Sequence, residues 1–241
     1  MTQRAIVVLA VAMIAAPSTA LASGLDLRLG AYFPSANSNL FSDDATLYTR
    51  GGNLGPAGLP PGLSDSDWIG VLGGLEYSMR VARNVEVGFH VDGYHRSFQT
   101  AYRAYTRPGG GDITQELDLD IVPVGVSLRI VPTSRRAKVA PYIAAGVDAV
   151  YWHYREIGDF IDFQTPGLPI HSDAFYSDGV AFGFHVAGGV RFAVSDDVSI
   201  VGEARYLHSS DDMGGDFFRS VDKNYIDLSG IGATLGVHIR F

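Results

Sequence analysis

The strongest constraint in this sequence is an alternation of apolar and polar residues that occurs in eight separate runs. Each run is about ten residues long and is bounded by residues typical of turns. A period of two places apolar side chains on one face of a β-strand and polar side chains on the other. No run shows a comparable helical stripe, so we predict an all-β protein. The clearest run alternates Val180, Phe182, Phe184, Val186, Val190 and Phe192 with Gly183, His185, Ala187, Gly189 and Arg191.

The fourth run contains a change of phase. Its apolar residues lie at odd positions from Leu117 to Ile121 and at even positions from Val124 to Ile130. A β-bulge shifts the pairing by one residue and tolerates proline, which lacks a donor. We therefore predict a bulge at Val122-Pro123.

The connections between the runs are alternately short and long. Short connections are expected at residues 81–84, 131–138 and 193–197, and long ones at 34–67, 96–116, 155–178 and 207–225. This alternation predicts an eight-stranded antiparallel up-and-down barrel, with both termini at the short-turn end and four long extracellular loops.

The composition of the two faces distinguishes a membrane barrel from a soluble one. Glycine, which accounts for 29 of the 241 residues, shares the polar face with charges of both signs, and this suits a narrow interior. The apolar face carries an aromatic and aliphatic band, which favours contact with lipid. A soluble lipocalin-like barrel, with its apolar face inside, is the alternative. The tyrosines expected near the lipid interface are Tyr32, Tyr77, Tyr142, Tyr151 and Tyr206.

The predicted interior is charged in near balance, so we expect ion pairs to fill most of the lumen. The residues expected inside are Arg28, Glu76, Arg80, Glu86, Asp92, Arg129, Arg191, Glu203, Arg205 and Arg240, with His90, His185 and His238 as hydrogen-bonded lining.

Residues 1–22 are predicted to be a signal peptide. Arg4 precedes an apolar stretch at 5–16, and Ala20-Leu21-Ala22 supplies a small-x-small cleavage pattern. The exported domain would then span residues 23–241, beginning at Ser23. The chain has no cysteine, which excludes disulfides, thiolate chemistry and a lipoprotein anchor. Its formal net charge of −8 argues against nucleic acid as a partner.

Together, the predicted signal peptide, the eight runs and three short segments resemble the small outer-membrane β-barrel superfamily of Gram-negative bacteria, which includes OmpA-like, OmpX-like and OmpW-like proteins. The segments are PYIAAGV at 141–147, EARY at 203–206 and GVHIRF at 236–241. The resemblance implies a monomer in the outer membrane, surrounded by lipid and lipopolysaccharide. It also implies that the barrel assembly machinery reads the terminal alternation, which here comprises Leu235, Val237, Ile239 and Phe241.

Function is less constrained than fold. The expected role is structural or surface-interactive and non-enzymatic. An eight-stranded interior is just filled by side chains, so a porin-sized channel does not fit. The ligand or partner of the loops is not predicted, because such loops carry no recognisable signature. An OmpW-like narrow channel for small or hydrophobic solutes is an alternative, although residues 148–152 differ from the continuation expected in that branch. Glycines at 230–236 lie inside a predicted strand rather than before a helix, so they do not predict a nucleotide site. No catalytic, cofactor or metal residues are expected.

One enzymatic alternative rests on His208 and Ser210, which share a strand face. They resemble the His-x-Ser-Asn motif of the lipid A 3-O-deacylase family, but Asp211 stands where that family has asparagine. A carboxylate there would oppose oxyanion stabilisation. The third member of such a triad would be Asp222 or Asp227.

Overall fold

The computed structural model describes residues 23–51, 59–133, 137–217 and 224–241, and its wall consists of eight antiparallel strands. Two short strands, β2 (Tyr48–Thr49) and β9 (Tyr225–Asp227), pair with wall strands near the long loops. The wall strands are β1 (Ser23–Pro34), β3 (Gly70–Ala82), β4 (Val85–Thr106), β5 (Asp112–Ile130), β6 (Val139–Ile161), β7 (Ile170–Ala193), β8 (Val198–Asp212) and β10 (Gly230–Arg240).

Each wall strand pairs with its sequence neighbours, and the last strand closes the ring against the first. Leu27 of β1 faces Val237 of β10, which in turn faces Ile200 of β8. The short turns and both strand termini lie at one end, which we call the terminal end. The predicted eight-stranded up-and-down barrel is therefore confirmed.

The described residues include one α-helix, α1 (Asn39–Leu47), and two short 3-10 helices, Asp65–Trp68 and Gly215–Phe217. None of the helices in the described ranges has the length and apolarity needed to cross a membrane.

The two faces of the wall follow the predicted alternation. Phe182 and Leu235, for example, expose 87% and 70% of their surface on the outside. Two of the tyrosines expected at the lipid interface, Tyr32 and Tyr142, are instead buried inside the barrel. Their hydroxyls explain this difference, because Tyr32 donates to Leu228 O at 2.7 Å and Tyr142 donates to Glu203 Oε2 at 2.8 Å.

Strands β4 to β7 are much longer than a membrane requires. They contain 22, 19, 23 and 24 residues, whereas about ten residues suffice to cross the hydrocarbon core. Two of the four predicted long loops are thus paired strand, and their connections shrink to residues 107–111 and 162–169. The prediction of four long loops is wrong for this reason, and the two long connections that the structure has are 35–69 and 213–229.

The predicted bulge at Val122-Pro123 is also wrong. The pairing of β5 with β4 keeps one register from Val91↔Val124 to Tyr94↔Ile121. The apolar phase changes because Leu117, Leu119 and Ile121 point inward and are almost fully buried. We call the part of the barrel that lies far from the terminal end the upper part. Its interior is therefore apolar, whereas the interior of the lower part is not.

This upper interior is a hydrophobic core that we call the cap. It joins the inward faces of β4 to β7 to α1, the first 3-10 helix and β9. Trp68 lies at its centre with 1% exposure, and its ring contacts Phe41 and Phe98 at centroid distances of 4.9 and 4.8 Å. The segment after β1 therefore folds back over the lumen.

Candidate functional site

Below the cap, the lumen is filled by a group of ion-paired side chains that we call the lumen network. Arg28 donates to Glu203 Oε1 at 2.6 Å and to Asp92 Oδ1 at 2.9 Å. The members of the network are Arg28, Arg80, Arg129, Arg191 and Arg205, with Asp26, Glu76, Glu86, Asp92 and Glu203. Each of these ten side chains is at least three-quarters buried.

Arg129 connects Asp26 to Glu76 within the lumen network. It donates to Asp26 Oδ2 at 3.3 Å and also to Glu76, while its guanidinium carbon lies 4.3 Å from the ring centre of Tyr142. Arg191 completes the connection between Asp26 and Glu86, at 3.4 and 2.9 Å. Five arginines and five carboxylates therefore balance one another, as the desolvation cost of buried charges requires.

The glycines of the polar face make room for these side chains. At Gly88, for example, a Cβ atom would lie 2.6 Å from both Glu76 Oε1 and Ser127 Oγ. The prediction that inward charges fill the lumen is confirmed except at Arg240. Arg240 donates to the carbonyl of Asp196 at 3.3 Å at the rim of the terminal end, so it lies outside the network.

Beside the upper members of the lumen network, and below the cap, lies a cluster that we call the histidine triad: His90, Asp148 and His185. His90 Nε2 is 2.8 Å from Asp148 Oδ1, and His185 Nδ1 is 2.7 Å from Asp148 Oδ2. His238 lies lower, where its Nδ1 is 2.5 Å from Asp26 Oδ1. All three histidines are hydrogen-bonded lining, as predicted.

A second buried acidic site ties α1 to the extended wall. The Tyr154 hydroxyl lies 2.8 Å from Asp44 Oδ2 and 2.9 Å from Glu156 Oε1. The Tyr48 hydroxyl donates to Glu156 Oε2 at 3.3 Å. The lipid-facing residues of β6 end at Tyr151, so this acid pair lies beyond the membrane-spanning part of the strand.

The environment of the acid pair favours protonated carboxyl groups. Burial raises the pKa of Glu156 to about 7, although hydrogen bonds from Tyr154 and Tyr48 oppose the shift. Burial is the main cause that raises the pKa of Asp44 well above its ordinary value, and the negative charge of Glu156 adds to the shift. Sequence reasoning missed this site, because no local pattern indicates that α1 would dock inside the barrel.

On the outer wall, a polar row marks the upper border of the lipid-facing band. Strand register places its members, His95, Asp120, His153 and Asp178, side by side on β4, β5, β6 and β7. We call this set the rim row. His95 Nδ1 lies 2.8 Å from Asp120 Oδ1. Two residues farther along the strands, above the rim row, Arg155 donates to Asp118 Oδ2 at 2.7 Å.

The structure does not bring His208 and Ser210 together as a catalytic pair. Both side chains are exposed on the outside of β8, but His208 Nδ1 lies 3.2 Å from the hydroxyl of Ser229. Ser210 faces Asp227 in the register between β8 and β9. Within the described ranges, no hydrogen bond joins the predicted nucleophile to the predicted base.

The remaining groups near this pair have structural roles. The buried Ser229 hydroxyl accepts from the Ser209 N–H at 3.1 Å and donates to the Ser209 carbonyl at 3.2 Å. Asp211 points into the cap, where its Oδ2 accepts a hydrogen bond from Trp152 Nε1 at 2.9 Å. Asp222, one of the two candidate third members, lies outside the described residues.

The C-terminal residues expected to guide assembly all face outward on or just beyond β10. Leu235, Val237, Ile239 and Phe241 have exposures of 70%, 38%, 38% and 62%. The Phe241 N–H donates to the Ser23 carbonyl at 3.0 Å, and the Ser23 N–H donates to the Phe241 carbonyl at 3.1 Å. The C-terminus thus closes the barrel, and its recognition by assembly machinery is still a prediction.

The closed ring, apolar outer band and charge-filled lumen define an eight-stranded transmembrane β-barrel of the outer-membrane type. The chain belongs to the outer membrane protein beta-barrel domain family, which matches residues 5–241. A comparison with curated protein sequences gives no match.

Among solved structures, the outer membrane protein OprG from Pseudomonas aeruginosa is similar at a TM-score of 0.52 and 12% identity, covering 92% of this chain and 96% of that one. Neisserial surface protein A is 14% identical, with a TM-score of 0.47 and coverage of 94% and 100%. Outer membrane protein W from E. coli is also 14% identical, with a TM-score of 0.39 and coverage of 92% and 100%. At these identities the likeness concerns the fold.

Proposed function

We propose that this protein is a non-enzymatic, non-conducting monomer of the outer membrane whose role is structural or surface-interactive. The observation that carries this proposal is the filling of the lumen by the lumen network and the cap. Within the described residues, one cavity near the terminal end and another beside His90 have volumes of about 30 Å³ each. Each has room for one or two water molecules, which is too little for a solute path.

The extended wall supports the surface role. The upper parts of β4 to β7 form a continuous paired sheet above the lipid-facing band, and a paired sheet is a more rigid platform than four open loops. The rim row and the carboxylates above it would meet lipopolysaccharide headgroups, which form the outer leaflet around this part of the wall. The outward residues of the described wall form an apolar band that suits contact with lipid, and we propose that the protein is a monomer.

Planar bilayer recording tests the sealed lumen. We expect no steady conductance from the purified wild-type protein, because ion pairs and aromatic rings close the barrel. The variant Glu203→Ala is the positive control, and we expect it to conduct more than the wild type. It removes the carboxylate that joins Arg28, Arg205 and Tyr142. Stable nanosiemens-scale conductance of the wild type would instead favour the alternative function, a narrow channel.

Lipid A deacylation provides the second test. We expect wild-type protein and Ser210→Ala to release no fatty acid from lipid A. Release by the wild type that is abolished in Ser210→Ala would establish the enzymatic alternative.

Export through a cleaved signal peptide belongs to the same proposal. Intact-mass measurement of protein from outer-membrane fractions should give a chain that begins at Ser23, and a mass that includes Met1 would contradict it.

A further inference from the structure

When both of its imidazoles are neutral, the histidine triad has an unbalanced negative charge. The carboxylates of the lumen network are all paired with arginine, but within the described ranges both ion-pair partners of Asp148 are histidines. The side chains of His90, Asp148 and His185 are 0%, 1% and 1% exposed. A buried carboxylate without a cation is costly, so the triad requires a positive charge.

The geometry of the triad matches a set of metal ligands. One ligand atom from each residue lies within 4.8 Å of the others, and the two imidazole rings meet nearly perpendicularly at a centroid distance of 4.9 Å. The hydrogen-bonding capacity of the rings is not used up, because the nitrogens that do not contact Asp148, His90 Nδ1 and His185 Nε2, are buried and have no partner among the described residues. Buried polar atoms without partners are uncommon, and an unseen water or ion is one of their ordinary explanations.

Glycines in the wall make room for the two imidazole rings, and a small cavity adjoins the triad. A Cβ atom on Gly125 would lie 2.7 Å from His90 Cε1, and one on Gly146 would lie 2.5 Å from His185 Cε1. One of the two cavities of about 30 Å³ is lined by His90 and Asp148, and it is large enough to supply a water ligand.

We propose that the histidine triad binds one divalent transition-metal ion, of the zinc, cobalt or nickel kind. Two imidazole nitrogens and a carboxylate suit these ions, whereas magnesium and calcium prefer oxygen ligands alone. A water molecule from the adjoining cavity completes the coordination. The ion joins β4, β6 and β7 across the lumen, so its effect is to stabilise the barrel, and the inference does not depend on the proposed surface role.

The closed lumen determines when the ion enters. The cap lies above the triad, and the lumen network lies beside and below it, so the ion is bound while the strands assemble. Metal present during refolding should therefore be retained, and metal added to the folded barrel should enter slowly.

The test is to unfold the full chain in denaturant and refold it in detergent with equimolar Co²⁺ or with EDTA, followed by desalting. We expect one cobalt ion per chain and the visible absorption of Co²⁺ bound to nitrogen and oxygen ligands. We also expect a higher Tm after refolding with Zn²⁺ than after refolding with EDTA. Asp148→Asn and His185→Gln should reduce the bound cobalt from one ion per chain to near zero.

The matched control is His95→Gln, which disrupts the cluster of His95, Asp118 and Asp120 on the outer wall and should retain the ion. Absence of cobalt from the wild type, its persistence in Asp148→Asn, or its loss in His95→Gln would overturn the proposal. If the triad variants fail to refold, ¹⁵N NMR of the wild-type histidines decides. Zinc-dependent shifts of His90 and His185 support the metal, whereas a zinc-insensitive imidazolium shows that a proton supplies the charge and overturns it.

Discussion

The Tyr154 hydroxyl and Asp44 Oδ2, 2.8 Å apart, fasten the helix α1 to the extended strand β6. The same hydroxyl lies 2.9 Å from Glu156 Oε1. A phenol has one proton to donate, so its second carboxyl contact requires a proton on that carboxyl. The contact between α1 and the wall is therefore complete only when the acid pair holds a proton.

This arrangement predicts that the cap is held more tightly in acid than in base. The pKa of Glu156 in the folded protein, about 7, is above its ordinary value. The stabilisation is thus fully present below that ordinary value and is lost as the pH rises through about 7. One proton changes the free energy of unfolding by at most about 1.4 kcal/mol per pH unit. Protease cleavage of the segment around α1 should therefore be faster at pH 8 than at pH 5.

A variant separates this effect from the general pH dependence of the protease and the protein. Glu156→Gln removes one of the two titrating carboxyls and should weaken the pH dependence of cleavage, while Asp65→Asn, at an exposed position, should behave like the wild type. Equal pH dependence in Glu156→Gln and wild type would show that the acid pair does not control the cap.

The faces of the wall could be predicted from the sequence because lipid contact requires strict alternation. Val180 to Phe192 is the clearest case, since every second residue is apolar. The same reasoning failed at Leu117 to Ile121, where apolar residues face inward. Parity gives two faces, but it does not tell which face is apolar once a strand has left the membrane. That choice depends on α1, whose docking is a long-range contact.

The lumen network predicts that Glu203 matters more for stability than an equally central lipid-facing residue. Glu203→Ala should lower the free energy of unfolding by about 3–5 kcal/mol, because Arg28 and Arg205 would lose a buried partner. Ile200→Ala, on the outer face of the same strand, should have a smaller effect that varies with the lipid. Urea unfolding in lipid vesicles measures both, and equal losses would contradict the paired lumen.

The inward positions of the lumen network were also predictable from parity, but the partners of its side chains were not. Arg28 and Glu203 are 175 residues apart in sequence, and their contact depends on the stagger between neighbouring strands. Period-two patterning does not specify that stagger. For the same reason, His90 and His185 were expected inside, whereas their shared contact with Asp148 was not foreseen.

Substitution of Trp68 should show how much the cap contributes to stability. Its fully buried ring contacts Phe41, Phe98 and Tyr154, so Trp68→Ala should cost about 3–5 kcal/mol in a two-state unfolding experiment. It should also expose the segment around α1 to protease. The control is Leu59→Ala, because Leu59 is 38% exposed. Similar protease sensitivity in the two variants would mean that the cap does not depend on its central ring.

Phe241 separates the assembly of the barrel from its final stability. Its ring faces outward with 62% exposure, and its backbone pairs with Ser23 in both directions. Phe241→Asp therefore leaves the closing hydrogen bonds available and changes the outward side chain that the assembly machinery is predicted to read. We expect a sharp loss of folded protein in outer-membrane fractions, measured by heat-modifiable migration, while the chain is still secreted.

The control variant is Phe163→Asp, at an exposed phenylalanine of the 162–169 connection, which should assemble normally. Normal yield of Phe241→Asp would show that the terminal side chain is not the signal, and equal losses in both variants would indicate a general effect of the added charge.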